Sequence, residues 1–175
     1  MKMKVKILVP MDGTAVGEAV LPKLESLVLQ NAPHTTTEVV LVRVISAVNF
    51  NVLTHDKRAQ LPYTESDRKE LNEEASNYLE SIANQLRGKG FSVSTMVKTG
   101  TVAEEIVNTA REIKANLIAM STHGRTGFVR WAIGSTSDQI IRLEGKIPVL
   151  AVQANEKEAS SVIPMSSLQS MVKHS

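Results

Sequence analysis

The sequence predicts an α/β domain built on an open parallel sheet with helices on both faces, and three observations carry that expectation. Apolar β-branched runs alternate with amphipathic helical stretches along the chain, and such alternation closes into a parallel sheet through right-handed crossovers. The run Val39-Val40-Leu41-Val42-Arg43-Val44-Ile45 is nearly continuous in apolar residues, as in strands buried on both faces. A small-residue loop then follows the apolar run Leu117-Ile118-Ala119-Met120 and opens a helix. Sheets of this kind receive ligands beyond the carboxyl ends of their strands.

A chain of 175 residues, 42% of them hydrophobic, suits one domain with a sizeable core and leaves little room for a second. The net charge is only +2, and no long basic run or aromatic-rich patch accompanies it, so nucleic acid is not an expected partner. With no cysteine there is neither a disulfide frame nor a thiolate metal site, which fits a reducing interior. The first ten residues are basic without the apolar core of a signal peptide. No apolar run approaches the ~20 residues of a membrane helix. A cytoplasmic location without a membrane partner is expected.

Val5 to Val9 read as the first strand, closed by Pro10, where proline removes a ladder donor. Met11 to Thr14 form a turn with Thr14 as N-cap, and a helix covers roughly 15 to 30. Pro22 is awkward inside that helix and implies either a kink or a later start. After the polar connection 31 to 37, Val39 to Ile45 make the second strand. Residues 46 to 63 read as irregular. Glu65 to Leu86 place Leu71, Ala75, Tyr78, Leu79, Ile82, Ala83 and Leu86 on one side of an amphipathic helix, which Gly88 and Gly90 end.

Phe91 to Val97 alternate apolar with polar residues and so belong near a sheet edge. Thr101 and Glu104 are spaced as a capping box, opening a helix whose inner stripe is Ile106, Ala110 and Ile113. The fourth strand is 116 to 120. Ser135 to Leu143 are helical with Gly145 as the cap, and Ile147 to Val152 form the last strand. The domain is expected over 1–153. A polar, serine-rich tail occupies 154–175, with Val162 to Met171 able to dock.

The stretch from Met120 to Arg142 has the composition of an anion cradle. Glycine lets the backbone approach a bulky anion, and the free N–H groups and positive dipole end of a following helix point at it. That helix opens at Gly134-Ser135-Thr136-Ser137, where three hydroxyls add donors. Neither Gly-x-x-x-x-Gly-Lys-Ser/Thr nor Gly-x-Gly-x-x-Gly occurs, so the common NTPase loop and the dinucleotide fingerprint are both absent.

Ser121-x-x-Gly124, nine residues, then Gly134-Ser135 resembles the nucleotide loop of the universal stress protein family, Gly-x-x-Gly, nine residues, Gly-Ser/Thr. Ser121 stands where that pattern has its first glycine. Lys6 to Asp12 resemble the family's first strand with its Pro-x-Asp ending, Gly100 to Ile106 its Gly-x-x-x-x-x-Ile helix opening, and Pro148 to Val152 its closing strand. The resemblance spans about residues 4 to 153. It implies a five-stranded sheet of order 3-2-1-4-5, Rossmann-like and of the adenine nucleotide alpha hydrolase type.

Carried over residue by residue, the resemblance implies that Asp12 holds the ribose or adenine edge while Pro10, Met11, Val44 and Met120 wall the base. Ser121, Gly124, Gly134, Ser135, Thr136 and Ser137 would line the ribose and phosphates. The chemistry agrees, because carboxylates accept from ribose hydroxyls or an adenine amine and backbone donors satisfy phosphate oxygens. The implied cofactor is ATP or a related adenine nucleotide, with Mg or Mn as a counter-ion held mainly by nucleotide and water. A homodimer through the last strand, Pro148 to Val152, is also implied.

Other residues have plainer readings. Asp12 could also shape a turn or cap the first helix. Gly124 and Gly127 could be plain turn glycines, and Ser135 an ordinary N-cap. His123 has no partner serine, cysteine or carboxylate placed beside it by any motif and reads as a turn histidine. Arg125 and Arg130 either steer phosphate or are solvated, and Trp131 packs the loop. No general base or nucleophile stands out. The leading expectation is therefore a dimeric adenine nucleotide-binding stress or signalling module without fast catalysis. The alternative is a nucleotide-independent dimeric interaction protein of the same fold.

Overall fold

A computed structural model of the chain describes residues 3–31, 35–46, 48–54, 57–62, 64–123 and 135–154. In chain order the elements are β1 (Met3–Pro10), α1 (Ala15–Glu18), α2 (Val20–Asn31), β2 (Thr35–Ser46), β3 (Val48–Thr54), β4 (Lys57–Pro62), α3 (Glu65–Gly88), β5 (Ser92–Gly100), α4 (Val102–Glu112), β6 (Leu117–His123), α5 (Ser135–Glu144) and β7 (Val149–Ala154). Five strands form one parallel sheet in the order β5-β2-β1-β6-β7. Counting only these five, that is 3-2-1-4-5, as expected, with β5 at an edge.

The period-two alternation of strand side chains divides the core between two faces. Ile7 and Val9 of β1, with Val39 and Leu41 of β2, pack against Leu21 and Leu24 of α2 and Leu79 and Ile82 of α3. Leu8, Val40 and Val42 point the other way, against Ile106, Val107 and Ala110 of α4 and Ile140 of α5. Ile113 is the C-cap of α4 and packs on that second cluster from a half-buried position. β6 is joined to β1 at its start by Asn116, whose backbone N–H donates to Lys6 O while its Oδ1 accepts from Lys6 N–H, both at 2.8 Å.

Several local expectations change. Thr35 to Thr37, read as connection, pair with Met3 to Val5 and extend β2, as β-branched threonines readily do. The first helix breaks at Ala19, so Pro22 falls in the first turn of α2, where its missing N–H costs nothing. Val48–Thr54 and Lys57–Pro62, in a stretch that reads as irregular, pair as antiparallel strands with a register shift between Asn49 and Val52. The period-two sequence Val48-Asn49-Phe50-Asn51-Val52 explains the strand, and the segment lacks the turn signature that marks a hairpin in sequence.

Thr101 occupies the N-cap of α4 but its side chain makes no capping bond; its carbonyl accepts from Glu105 N–H at 2.9 Å. The acidic side chain lying against Gly100 belongs to Glu105, one residue beyond the expected partner. A full capping box does open α3, between Thr64 and Asp67. The Thr64 hydroxyl and then the Thr64 backbone N–H, as donors to the Asp67 carboxyl, hold it below the usual carboxylate range. No helix among the described residues is long and apolar enough to cross a membrane.

Candidate functional site

At the carboxyl ends of β1, β2 and β6, where the strand order reverses direction, the structure opens a cavity of about 510 Å³. This is the switch point at which open α/β sheets receive ligands, and the volume is that of a small-molecule site. Pro10, Met11 and Asp12 enter from the end of β1, Val44 from β2, Met120 and Ser121 from β6, and Thr136 and Ser137 from the start of α5. Eight sequence-expected residues therefore meet around one space. Gly124, Gly134, Arg125, Arg130, Gly127 and Trp131 lie outside the described residues, as does 155–175; Ser135 is described only as the first residue of α5.

The turn after β1 is built to present a carboxylate. Pro10 ends the strand, and Met11 N–H then donates to Val42 O at 2.8 Å, holding the turn over β2. Asp12 Oδ1 accepts from Thr14 N–H at 2.9 Å and from Thr14 Oγ1 at 2.7 Å. The Thr14 hydroxyl also accepts from Gly17 N–H at 3.0 Å, capping α1. The turn-shaping role of Asp12 is thus real, and it uses one oxygen. Among the described residues Oδ2 has no protein partner, so the exposed carboxylate keeps a free acceptor beside the cavity.

β6 continues past the expected end at Met120, pairing with β7 as far as His123 opposite Ala154. His123 is consequently the end of a strand rather than a turn residue, and Ser121 is a strand residue rather than the first of a loop. Ser121 Oγ donates to Gly17 O at 3.1 Å, at the break between α1 and α2. That hydrogen bond ties the β6 wall of the cavity to the helix behind Asp12.

Three features of the site escaped the sequence reading. Gly17 is buried, and a Cβ there would overlap Asp12 Oδ1 and lie 3.0 Å from its Cγ. A glycine early in a helical pattern, where it lowers helix propensity, was the available signal. Arg43, the one charge in an apolar run, lies with its guanidinium carbon 5.2 Å from the centre of the Tyr78 ring and Nη2 3.7 Å from Glu74 Oε1. Its guanidinium also sits beneath Gly13, where a Cβ would be 3.2 Å from Nη1 and φ is +84°. The third is Ile106 of α4, which adds to the apolar floor formed with Val42 and Met120.

Behind this turn, buried Tyr78 donates its hydroxyl proton to Glu18 Oε1 at 3.1 Å. Burial and the Glu18 carboxylate raise the Tyr78 pKa far above its ordinary 10.0. The folded protein therefore keeps this proton at a pH where the unfolded chain releases it, so stability falls as pH rises above about 10. Chemical denaturation between pH 9 and 11 checks this: the wild type loses stability across that window, and Tyr78→Phe shows a shallower slope.

The site as a whole offers an apolar slot, a carboxylate acceptor at one side, and hydroxyls with a helix N-terminus at another. No cluster of three or more metal-ligating acidic, histidine or cysteine side chains occurs among the described residues.

Comparison with known proteins gives a consistent answer. The family model described as the universal stress protein family matches residues 3–153. Universal stress protein MJ0577 of Methanocaldococcus jannaschii is 35% identical over 86 residues, which cover 49% of this chain and 52% of that protein. Universal stress protein YxiE of Bacillus subtilis is 31% identical over 86 residues, covering 49% and 57% respectively. The chain spans about half the length of the curated relatives it matches. The solved structure of MJ0577 superimposes with a TM-score of 0.64 at 26% identity, covering 87% of this chain and 98% of that one. An Arabidopsis thaliana family member solved with AMP bound gives 0.59 at 15% identity, covering 88% and 94%. A universal stress protein in complex with cAMP gives 0.57 at 14%, covering 86% and 98%. With the family match extending over nearly the whole chain and the sheet order in agreement, this chain belongs to the universal stress protein family.

Proposed function

We propose that the chain binds ATP or a related adenine nucleotide in the cavity at the ends of β1, β2 and β6, and acts as a dimeric stress-response or signalling module without fast catalysis. The observation that carries this reading is the convergence of Asp12, Ser121, Thr136 and Ser137 on a space floored by Val44 and Met120. The base lies in the apolar slot, and the sugar meets Asp12. The phosphates turn toward the N-terminus of α5, where Thr136 and Ser137 stand and where helix geometry favours anions. A divalent ion would travel with the phosphates, held mainly by nucleotide and water. The family members solved with AMP and with cAMP support an adenine nucleotide as ligand.

The dimer is proposed through β7. Among the described residues that strand pairs only with β6 in the sheet, and its outer edge is the one offered to the same strand of a second copy. Sedimentation analysis of the purified chain tests it, with a monomer at micromolar concentration as the opposing result.

The ligand is tested by mass spectrometry of small molecules released from freshly purified protein, together with thermal melts in AMP, ADP and ATP. A nucleotide present at ~100 times its dissociation constant stabilises by about 2.7 kcal/mol, which raises the melting temperature by several degrees. Identical melts with and without millimolar nucleotide would favour the nucleotide-independent interaction protein instead. Gly17→Ala gives a sharper check. Its new methyl displaces the Asp12 carboxylate and breaks the Thr14 bonds, so nucleotide affinity in calorimetry falls about tenfold.

A further inference from the structure

Ser121 departs from the family pattern, and its hydrogen bond fixes what it can offer to a ligand. A carbonyl oxygen can only accept, so in the 3.1 Å contact with Gly17 O the serine supplies the proton. A hydroxyl has one proton. With that proton committed to α1, only the lone pairs of Oγ are left for anything in the cavity that Ser121 lines. Gly17 passes the connection on: its N–H donates to Thr14 Oγ1 at 3.0 Å, and the Thr14 hydroxyl donates to Asp12 Oδ1 at 2.7 Å. One hydrogen-bonded chain therefore joins the end of β6 to the carboxylate after β1, and both hydroxyl protons in it are committed to protein acceptors.

Resting on the adenine-nucleotide reading above, we propose that Ser121 is a specificity-determining residue that selects a ligand presenting a hydroxyl donor, a ribose hydroxyl, at the end of β6. A ribose hydroxyl donates to Oγ and leaves the Gly17 bond intact. A phosphate oxygen brings no proton. It would meet lone pairs, or would take the serine proton and strip the Gly17 carbonyl of that bond. Asp12 Oδ2, also an acceptor, reinforces the selection from the other side of the chain of bonds. The serine thus replaces the bare glycine of the family pattern with an acceptor aimed at the sugar.

The test compares AMP with 2′,3′-dideoxy-AMP by titration calorimetry on the full chain, in wild type, Ser121→Ala and Ser121→Gly. The wild type prefers AMP, and both variants cut that preference about fivefold, the worth of one neutral hydrogen bond. A merely structural role would weaken both ligands together and leave their ratio unchanged. Binding of both compounds with an equal ratio in all three proteins overturns this inference while leaving the nucleotide reading standing. Binding of neither compound by the wild type overturns this inference, and absence of ADP and ATP binding as well overturns the nucleotide reading with it.

Discussion

Asp12→Ala abolishes measurable adenine nucleotide binding, an expected loss of at least about a hundredfold in affinity. Two separate losses combine. The first is the turn: alanine removes the acceptor for Thr14 N–H and Thr14 Oγ1, two bonds that hold residues 12 to 14 in place over the end of β2. Each contributes about 1 kcal/mol to that geometry. The second is the free carboxylate oxygen, which alone at this turn carries negative charge toward a donor on the ligand; a hydrogen bond to a charged acceptor is worth about 1.5–3 kcal/mol. Together these exceed the ~2.7 kcal/mol that corresponds to a hundredfold change.

Asp12→Asn separates the two contributions. Its amide oxygen can accept both Thr14 bonds, so the melting temperature stays near that of the wild type. The uncharged amide, with NH2 in place of Oδ2, opposes a ligand donor, and affinity still falls about tenfold or more. Calorimetric titration with AMP and ATP, alongside melts of both variants, checks the pair of outcomes. Wild-type affinity in Asp12→Ala would show that the carboxylate has no part in binding.

The parts of this protein legible in sequence are those where local composition and global fold agree. Val39 to Ile45 could only be a strand buried on both faces, and β2 is sandwiched between helices of both layers. Thr14 was readable as an N-cap because a hydroxyl immediately before a helix has one obvious use. Misread residues were those whose roles depend on a partner far away in the chain. Asn116 reads as the first residue of the fourth strand, whereas it lies just before β6 and its side chain bonds to Lys6 of β1, 110 positions away in sequence.

Ser121 shows the same limit at the site. Its motif position marks it only as a departure from the family pattern, whereas its hydroxyl is turned onto Gly17, 104 residues earlier, and Ser121 becomes part of the cavity wall. Gly17 is the complementary case. Its lack of a side chain has no local explanation in a helix, and only the nearby Asp12 carboxylate accounts for it. Periodicity reports which face of an element is buried, and it carries no information about which distant polar atom needs a partner. The hairpin β3–β4 failed for a different reason, since its alternation was present but the turn residues that usually advertise a hairpin were not.

Leu8→Ala carries the largest expected effect on stability, about 3–4 kcal/mol, within the range for leucine truncation at a fully buried site. Leu8 lies in the middle of the central strand, opposite Val40 of β2 and Ile118 of β6, and is fully buried. Its side chain belongs to the cluster that also holds Ile106, Met120 and Ile140. Sheet neighbours on both sides are fixed by ladder hydrogen bonds, so the backbone cannot collapse into the space that truncation leaves. The cost therefore includes both lost transfer energy and a persistent cavity. At roughly 2–4 °C per kcal/mol for a chain of this size, the melting temperature drops by about 10 °C. Leu29→Ala is the matched control, since Leu29 is 60% exposed on α2 and its truncation changes the melting temperature little. Because Ile106 and Met120 border both Leu8's cluster and the cavity, the same variant should also weaken AMP binding modestly at temperatures well below its melt. A shift as small as that of Leu29→Ala would mean that the sheet yields around Leu8, and that the platform beneath Asp12 is softer than its packing implies.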